Sequence, residues 1–212
     1  MTLHSTHDAT QLHACLPTRL TEEYPVHMPM VTRQWSAEEL RALPDDGNRY
    51  EIVDGELFVT PAPAWQHQDA VGELFALLRD YLRRVGVGHA VMAPADVMFS
   101  TRSVVQPDLF VVPLVDGRWP ERFEDAGRLL LAVEVLSPGT ARADRVKKRT
   151  LYREQGVPDY WIVDLDARTF ERSTPEHARP EILVDELTWH PDGAGAPLVI
   201  DLSSYFAAVL PG

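Results

Sequence analysis

Two apolar, strand-forming runs in this chain each carry carboxylate at a single position, and that pairing limits what the chain can become. The first is Val104-Val105-Gln106-Pro107-Asp108-Leu109-Phe110-Val111-Val112, and the second is Leu129-Leu130-Leu131-Ala132-Val133-Glu134-Val135-Leu136. Valine and phenylalanine at this density predict buried strands, and proline is tolerated at the first position of one. An ionised acid is almost never fully buried without a counter-charge or a metal, so two acids on separate buried strands require a shared cation. Mg²⁺ is usually held by one or two carboxylates plus waters and phosphate oxygens, which such a pair can supply.

Lysine usage points to the same neighbourhood. Of 20 basic residues only Lys147 and Lys148 are lysine, and both follow the Glu134 run. Lysine offers a compact charge that reaches one oxygen and can lose its proton, which arginine does not. After Ser137-Pro138-Gly139-Thr140 breaks the strand, the stretch from about Ala141 to Gln155 reads as a helix closed by Gly156. Asp144, Lys148 and Tyr152 then stack at i, i+4 and i+8 along one face. The same spacing suits an exposed Asp144–Lys148 pair worth roughly 0.3–0.5 kcal/mol.

Pro107-Asp108, Glu134-Val135-Leu136-Ser137-Pro138, Asp144, Lys148, Tyr152 and Gly156-Val157-Pro158-Asp159-Tyr160-Trp161-Ile162-Val163-Asp164 together resemble the putative restriction endonuclease family, a branch of the PD-(D/E)XK nucleases. Tyr50-Glu51-Ile52-Val53-Asp54-Gly55-Glu56-Leu57 and Pro61-Ala62-Pro63 followed by His67 extend the resemblance, which spans roughly residues 36 to 173. A plain D…E-x-K pattern would place lysine at 136, where this chain has Leu136. The resemblance implies that the lysine has moved to the following helix, with Lys148 rather than Lys147 in the role. It also implies a restriction-endonuclease-like α/β fold, with a mixed β-sheet core flanked by α-helices.

The implied activity is hydrolysis of phosphodiester bonds in nucleic acid, with DNA as the expected substrate. Asp108 and Glu134 would hold Mg²⁺ or Mn²⁺ with the main-chain carbonyl of Val135, and the metal would lower the pKa of a water and clamp the phosphate. Lys148 would stabilise charge on the phosphate or orient the water. His67, in the first turn of a long amphipathic helix, reads either as an active-site group by its family match or as a polar residue near a helix start. Glu51 reads either as an outer acid of the site or as a solvent-facing strand residue, and Glu73 shares the helix of His67. The alternative from a different class is a non-cleaving nuclease-fold module in which Asp108, Glu134 and Lys148 form a buried ion network. Hydrolysis of a small phosphate ester is less supported, because no Gly-rich phosphate loop is evident.

Composition bounds the rest. With 212 residues, 45% hydrophobic content and no apolar run near eighteen residues, the expectation is one domain over 31–212, preceded by a flexible tail at 1–30, and no membrane span. The single Cys15 and the absence of a secretory pattern suit a cytoplasmic location. His4, His7, His13, Cys15 and His27 match no standard zinc spacing. The net charge of −12 opposes nucleic-acid binding, but Arg142, Arg145, Lys147, Lys148, Arg149 and Arg153 face only Asp144 within their segment. A basic stripe there would face phosphates, and a homodimer or another partner would complete the groove.

Local signals predict a short helix near Ser36–Leu43, capped by the Ser36/Glu39 pattern, and a hairpin over Arg49–Thr60 turning at Asp54-Gly55. A long helix is expected over Ala64–Val85, with strands near Gly88–Met92, Asp96–Phe99, Leu109–Pro113, Asp159–Asp164 and Thr169–Ser173. A polar loop is expected over Asp116–Gly127, and edge strands around Ile182–Trp189 and Leu198–Asp201.

Overall fold

Alternation along the central strands decides the architecture. In each of three neighbouring strands, odd-numbered residues face one side and even-numbered residues the other: Leu109, Val111, Leu131, Val133, Trp161 and Val163 against Phe110, Val112, Ala132, Tyr160 and Ile162. Both sets are apolar, so the sheet must be covered on both faces. The computed structural model describes residues 33–210, and the tail expected at 1–30, with its histidines and Cys15, lies outside the described residues.

Among the described residues the first element is helix α1 (Ala37–Arg41), where Ser36 and Glu39 cap each other reciprocally as the sequence predicts. The hairpin follows as β1 (Arg49–Val53) and β2 (Glu56–Thr60), with both turn residues, Asp54 and Gly55, at positive φ. Helix α2 (Trp65–Val85) ends on Gly86 in the left-handed conformation. Strands β3 (Gly88–Met92), β4 (Val97–Ser100), β5 (Ser103–Val105) and β6 (Leu109–Pro113) come next, then a short helix α3 (Phe123–Ala126) inside the segment expected as loop. Strand β7 (Leu131–Val135) leads into a π-helical turn, Ala143–Lys148, that continues as α4 (Arg149–Glu154). Strands β8 (Tyr160–Asp164), β9 (Thr169–Ser173), β10 (Glu181–Leu183), β11 (Glu186–Trp189) and β12 (Leu198–Asp201) precede helix α5 (Leu202–Val209).

Among the described residues these strands form three sheets. The largest has the order β10-β9-β8-β7-β6-β3 and is antiparallel except for the parallel step from β7 to β8, which the π turn and α4 bridge. A smaller sheet, β2-β1-β5-β4, carries the hairpin, and β11 pairs with β12. On one face of the large sheet α2, α5 and the β11–β12 pair close a core around Leu74, Leu78, Trp161, Phe170, Trp189 and Phe206. On the other face the small sheet and α4 contribute Val53, Val97, Val105, Leu151 and Tyr152.

Three expectations are corrected. The apolar run Val104–Val112 is not one segment, because Ser103–Val105 pairs with β1 and β4 while Leu109–Pro113 pairs with β3 and β7. Pro107, which has no N–H to give a ladder, falls in the gap between them. Of the late segments only β10 is an edge of the large sheet, since β11 and β12 pair with each other. Helix α5 was not anticipated, although Asp201 accepts the Ser204 amide at 2.6 Å as its N-cap and Leu202, Tyr205, Phe206 and Val209 recur at helical spacing.

Candidate active site

The antiparallel register of β6 and β7 pairs Leu109 with Val133, so one step further Asp108 stands opposite Glu134. The Val135 amide donates to Asp108 Oδ2 at 2.9 Å and locks that step. Glu134 lies on the even face of β7, towards the small sheet and α4, where β1 presents Glu51 two residues from the inward Val53. The Glu51 carboxylate is pinned from behind by the Gln106 amide, which donates to Oε1 at 2.8 Å.

Into this space the π turn delivers Lys148. Its Nζ donates to Glu51 Oε2 and Glu134 Oε1, each at 2.9 Å, and lies 3.4 Å from Asp144 Oδ1. An ammonium has three hydrogens and here meets three carboxylates, although Asp144 Oδ1 is an ion-pair partner without hydrogen-bond alignment. Tyr152, one turn on, donates to Glu134 Oε1 at 3.4 Å, and Tyr160 donates to the Asp144 carbonyl at 3.1 Å. The i, i+4, i+8 stack is thus present and turned inward, not on the surface: Lys148 is 2% exposed and Asp144 1%. The helix ends as predicted on Gly156 (φ 68°), with the Val157 amide donating to the Tyr152 carbonyl.

Asp108 has a separate set of partners. Arg49 Nη1 donates to its Oδ1 at 2.7 Å and to the Gln106 carbonyl at 3.1 Å, while His67 Nε2 lies 3.0 Å from its Oδ2. Burial works against ionisation of Asp108, but the His67 contact and the Arg49 charge hold its pKa down to about 2. Glu134 behaves in the opposite way, because burial pushes it well above the usual carboxylate range despite Lys148, and Asp144 is raised by the same cause. Lys148 is raised, its burial outweighed by Glu134, Glu51 and Asp144. Four buried acids therefore share two permanent cations, Lys148 and Arg49, and fully ionised they leave an uncompensated negative charge.

Fully ionised, such a cluster would suit a hard cation. Among the described residues no group of three or more His, Cys, Asp or Glu side chains is arranged to hold a metal. The donors would be two carboxylates: the hydrogen bonds that Glu134 accepts from described residues fall on Oε1 and leave Oε2, whereas both Asp108 oxygens already have partners, Oδ1 in Arg49 and Oδ2 in the Val135 amide and His67. Two carboxylates completed by water and substrate oxygens is the usual way Mg²⁺ is held.

A cleft of about 1080 Å³ opens beside the cluster and is lined by Arg49, His67, Gln106, Asp108, Ser137 and Arg145, among others. Glu51, Glu134 and Lys148 are buried and are not among its lining residues.

Five residues chosen from sequence, Glu51, His67, Asp108, Glu134 and Lys148, thus meet in one place together with the Val135 amide. Glu51 is 1% exposed, which overturns its reading as a solvent-facing strand residue: β1 is covered on that face by the large sheet and α4. Glu73 is exposed on α2 and does not join the site. Arg49 was missed, although it precedes Glu51 by two residues on the same strand and so shares its face. Half of the basic stripe is engaged within the chain: Arg145 bridges Glu171 (2.6 Å) and Asp164 (2.7 Å), Lys147 meets Glu56 at the surface (2.9 Å), and Lys148 is buried, whereas Arg142, Arg149 and Arg153 form no ion pair among the described residues.

The mixed sheet, its single parallel step and the acid–lysine cluster beside a cleft define a restriction-endonuclease-like α/β domain. The model of the putative restriction endonuclease family, Uma2, matches residues 37–201, and the chain belongs to that family. A crystal structure of a putative nuclease belonging to DUF820 from Anabaena variabilis shares the fold, with a TM-score of 0.69 and 19% sequence identity over 82% of this chain and 99% of that one. Comparison with curated proteins gives no match. No described helix is long and apolar enough to cross a membrane.

Proposed function

We propose that this chain is a metal-dependent nuclease that hydrolyses phosphodiester bonds of DNA. The observation that carries the reading is the convergence of Asp108, Glu134 and Lys148, from three elements, on one excess-negative cluster beside an open cleft. Asp108 and Glu134 would hold Mg²⁺ or Mn²⁺, with the Val135 carbonyl as a third oxygen. Bound there, the ion would supply an acidified water and neutralise phosphate charge. The chain's own residues do the positioning. Arg49 and His67 orient Asp108 from two sides, and Lys148 holds Glu134 and Glu51 in one geometry. His67 stands at the cleft wall, where it can exchange a proton with a group entering the site. A second copy of the chain would extend the groove.

One observation favours a second reading, a nuclease-fold module that does not cut. Lys148 is 2% exposed and already surrounded by three carboxylates, so it touches substrate only if the cluster opens. Calorimetric titration of Mg²⁺ and Mn²⁺ into wild type and Glu134→Gln, followed by a DNA cleavage assay, separates the two. Saturable binding and cleavage that both vanish in Glu134→Gln support the nuclease. A folded wild type that cleaves no DNA at saturating metal sinks it in favour of the closed network.

A further inference from the structure

Trp65 is 90% exposed, although tryptophan is among the residues most strongly driven from water. It opens helix α2, two residues before His67, and its neighbours Ala64 and Gln66 both line the cleft. The rim that leads to it, Val59, Pro61, Ala62 and Pro63, carries no charge. Two residues further along the helix, His67 is buried in the cleft wall and places its Nε2 3.0 Å from Asp108 Oδ2.

We infer that Trp65 is a stacking platform for an unpaired nucleobase, and that the cleft takes single-stranded rather than duplex nucleic acid. The inference rests on the nuclease reading only for the class of ligand. A base inside a duplex already has both faces covered by its neighbours, so an exposed indole can be used only by a strand that is single or locally opened. Charge leads to the same conclusion. Duplex binding rests on many lysines and arginines at phosphates. Of the three arginines of the cleft wall, Arg49 and Arg145 are engaged by Asp108, Asp164 and Glu171, which leaves Arg41 beside the wall's own Asp45, Asp96 and Asp166, and the chain carries a net charge of −12. Where phosphate attraction is weak, affinity has to come from the base, and one stack can supply it.

The test is fluorescence anisotropy with labelled oligothymidylate, alone and annealed to oligoadenylate, in Ca²⁺, on wild type, Trp65→Ala, Trp65→Phe and Trp119→Ala. Trp119, 64% exposed and stacked on His89, has neither sequence neighbour in the cleft wall, where Trp65 has both, and serves as the control. Trp65→Ala is expected to weaken single-strand binding roughly 5- to 100-fold. Trp65→Phe should restore most of it, and Trp119→Ala and duplex binding should stay unchanged. Equal affinity in Trp65→Ala, an equal loss in Trp119→Ala, tighter binding of the duplex, or no strand binding by wild type would each overturn the inference. So would a drop in sedimentation coefficient in Trp65→Ala, which would assign the ring to a second copy of the chain. Wild-type cleavage in Mg²⁺ is scored separately. Cleavage without a Trp65 effect leaves the nuclease and removes the platform, and a Trp65 effect without cleavage does the reverse.

Discussion

The two faces of the six-stranded sheet are built from alternate residues of the same strands, yet they are held together by different physics. On the α2 and α5 side, Val133, Val135, Trp161 and Val163 meet a dense aromatic core, with Trp161 and Trp189 edge-on at 5.7 Å and Phe170 against Tyr205 at 5.3 Å. On the α4 side the same strands present Ala132, then Glu134, and the apolar layer gives way to Glu51, Asp144 and Lys148. The first face gains by removing apolar area from water. The second carries desolvation costs that are offset only while every partner stays in place. The contrast teaches that the site is the locally unstable part of a stable frame, and that the frame sets its geometry.

Removing one partner should therefore hurt most. Lys148→Ala leaves three buried acids facing one another and is expected to cost about 3–5 kcal/mol in urea unfolding at neutral pH. Because burial already raises Glu134 and Asp144, their protonation should relieve the loss as the pH falls. A penalty independent of pH would break the contrast between the faces. Leu74→Ala, on the aromatic side, should cost about 3 kcal/mol with no pH dependence, measured the same way.

Asp108 sharpens the comparison, since its pKa lies near 2 instead of 3.8. A lowered carboxylate stabilises the fold above its unfolded pKa and loses that contribution as the pH falls through the folded value. The window here is about pH 4 down to about 2, and the contribution roughly 2 kcal/mol. The stability gap between wild type and Asp108→Asn should close across that window in EDTA, and a constant gap would mean that charge does not hold Asp108. Least affected should be Lys147→Ala, which breaks only the exposed pair with Glu56 and should shift stability by no more than a few tenths of a kcal/mol. A larger shift would show that the basic segment matters beyond Lys148.

Much of the frame was legible. The Asp54-Gly55 turn, the apolar stripe of α2 and the Gly156 stop are local rules, and the hairpin and α2 lie within a residue or two of their expected places. The π turn was not legible, because its wider winding depends on what Asp144 and Lys148 meet across the sheet. Glu51 alternates with apolar neighbours in a way that fits either face, and only the packing of β1 against the large sheet chose the inner one. Arg49 went unseen because an arginine at a strand start is ordinarily solvated, and its partner Asp108 is 59 residues away.

The sequence by itself determined that Asp108 and Glu134 are buried, that a lysine belongs near them, and that the chain is a member of the putative restriction endonuclease family. The first two follow from residue types within short windows, where burial and charge conflict visibly, and the third from the family match over residues 37–201. Tertiary structure alone decided that Lys148 is shared among Glu51, Glu134 and Asp144, and that Arg49 and His67 hold Asp108. It also decided that Trp65 stands free at the rim. The reason is that a charge inside a protein takes its partner from whatever side chain the fold brings within about 3 Å, and that choice is made between strands and helices distant in the chain.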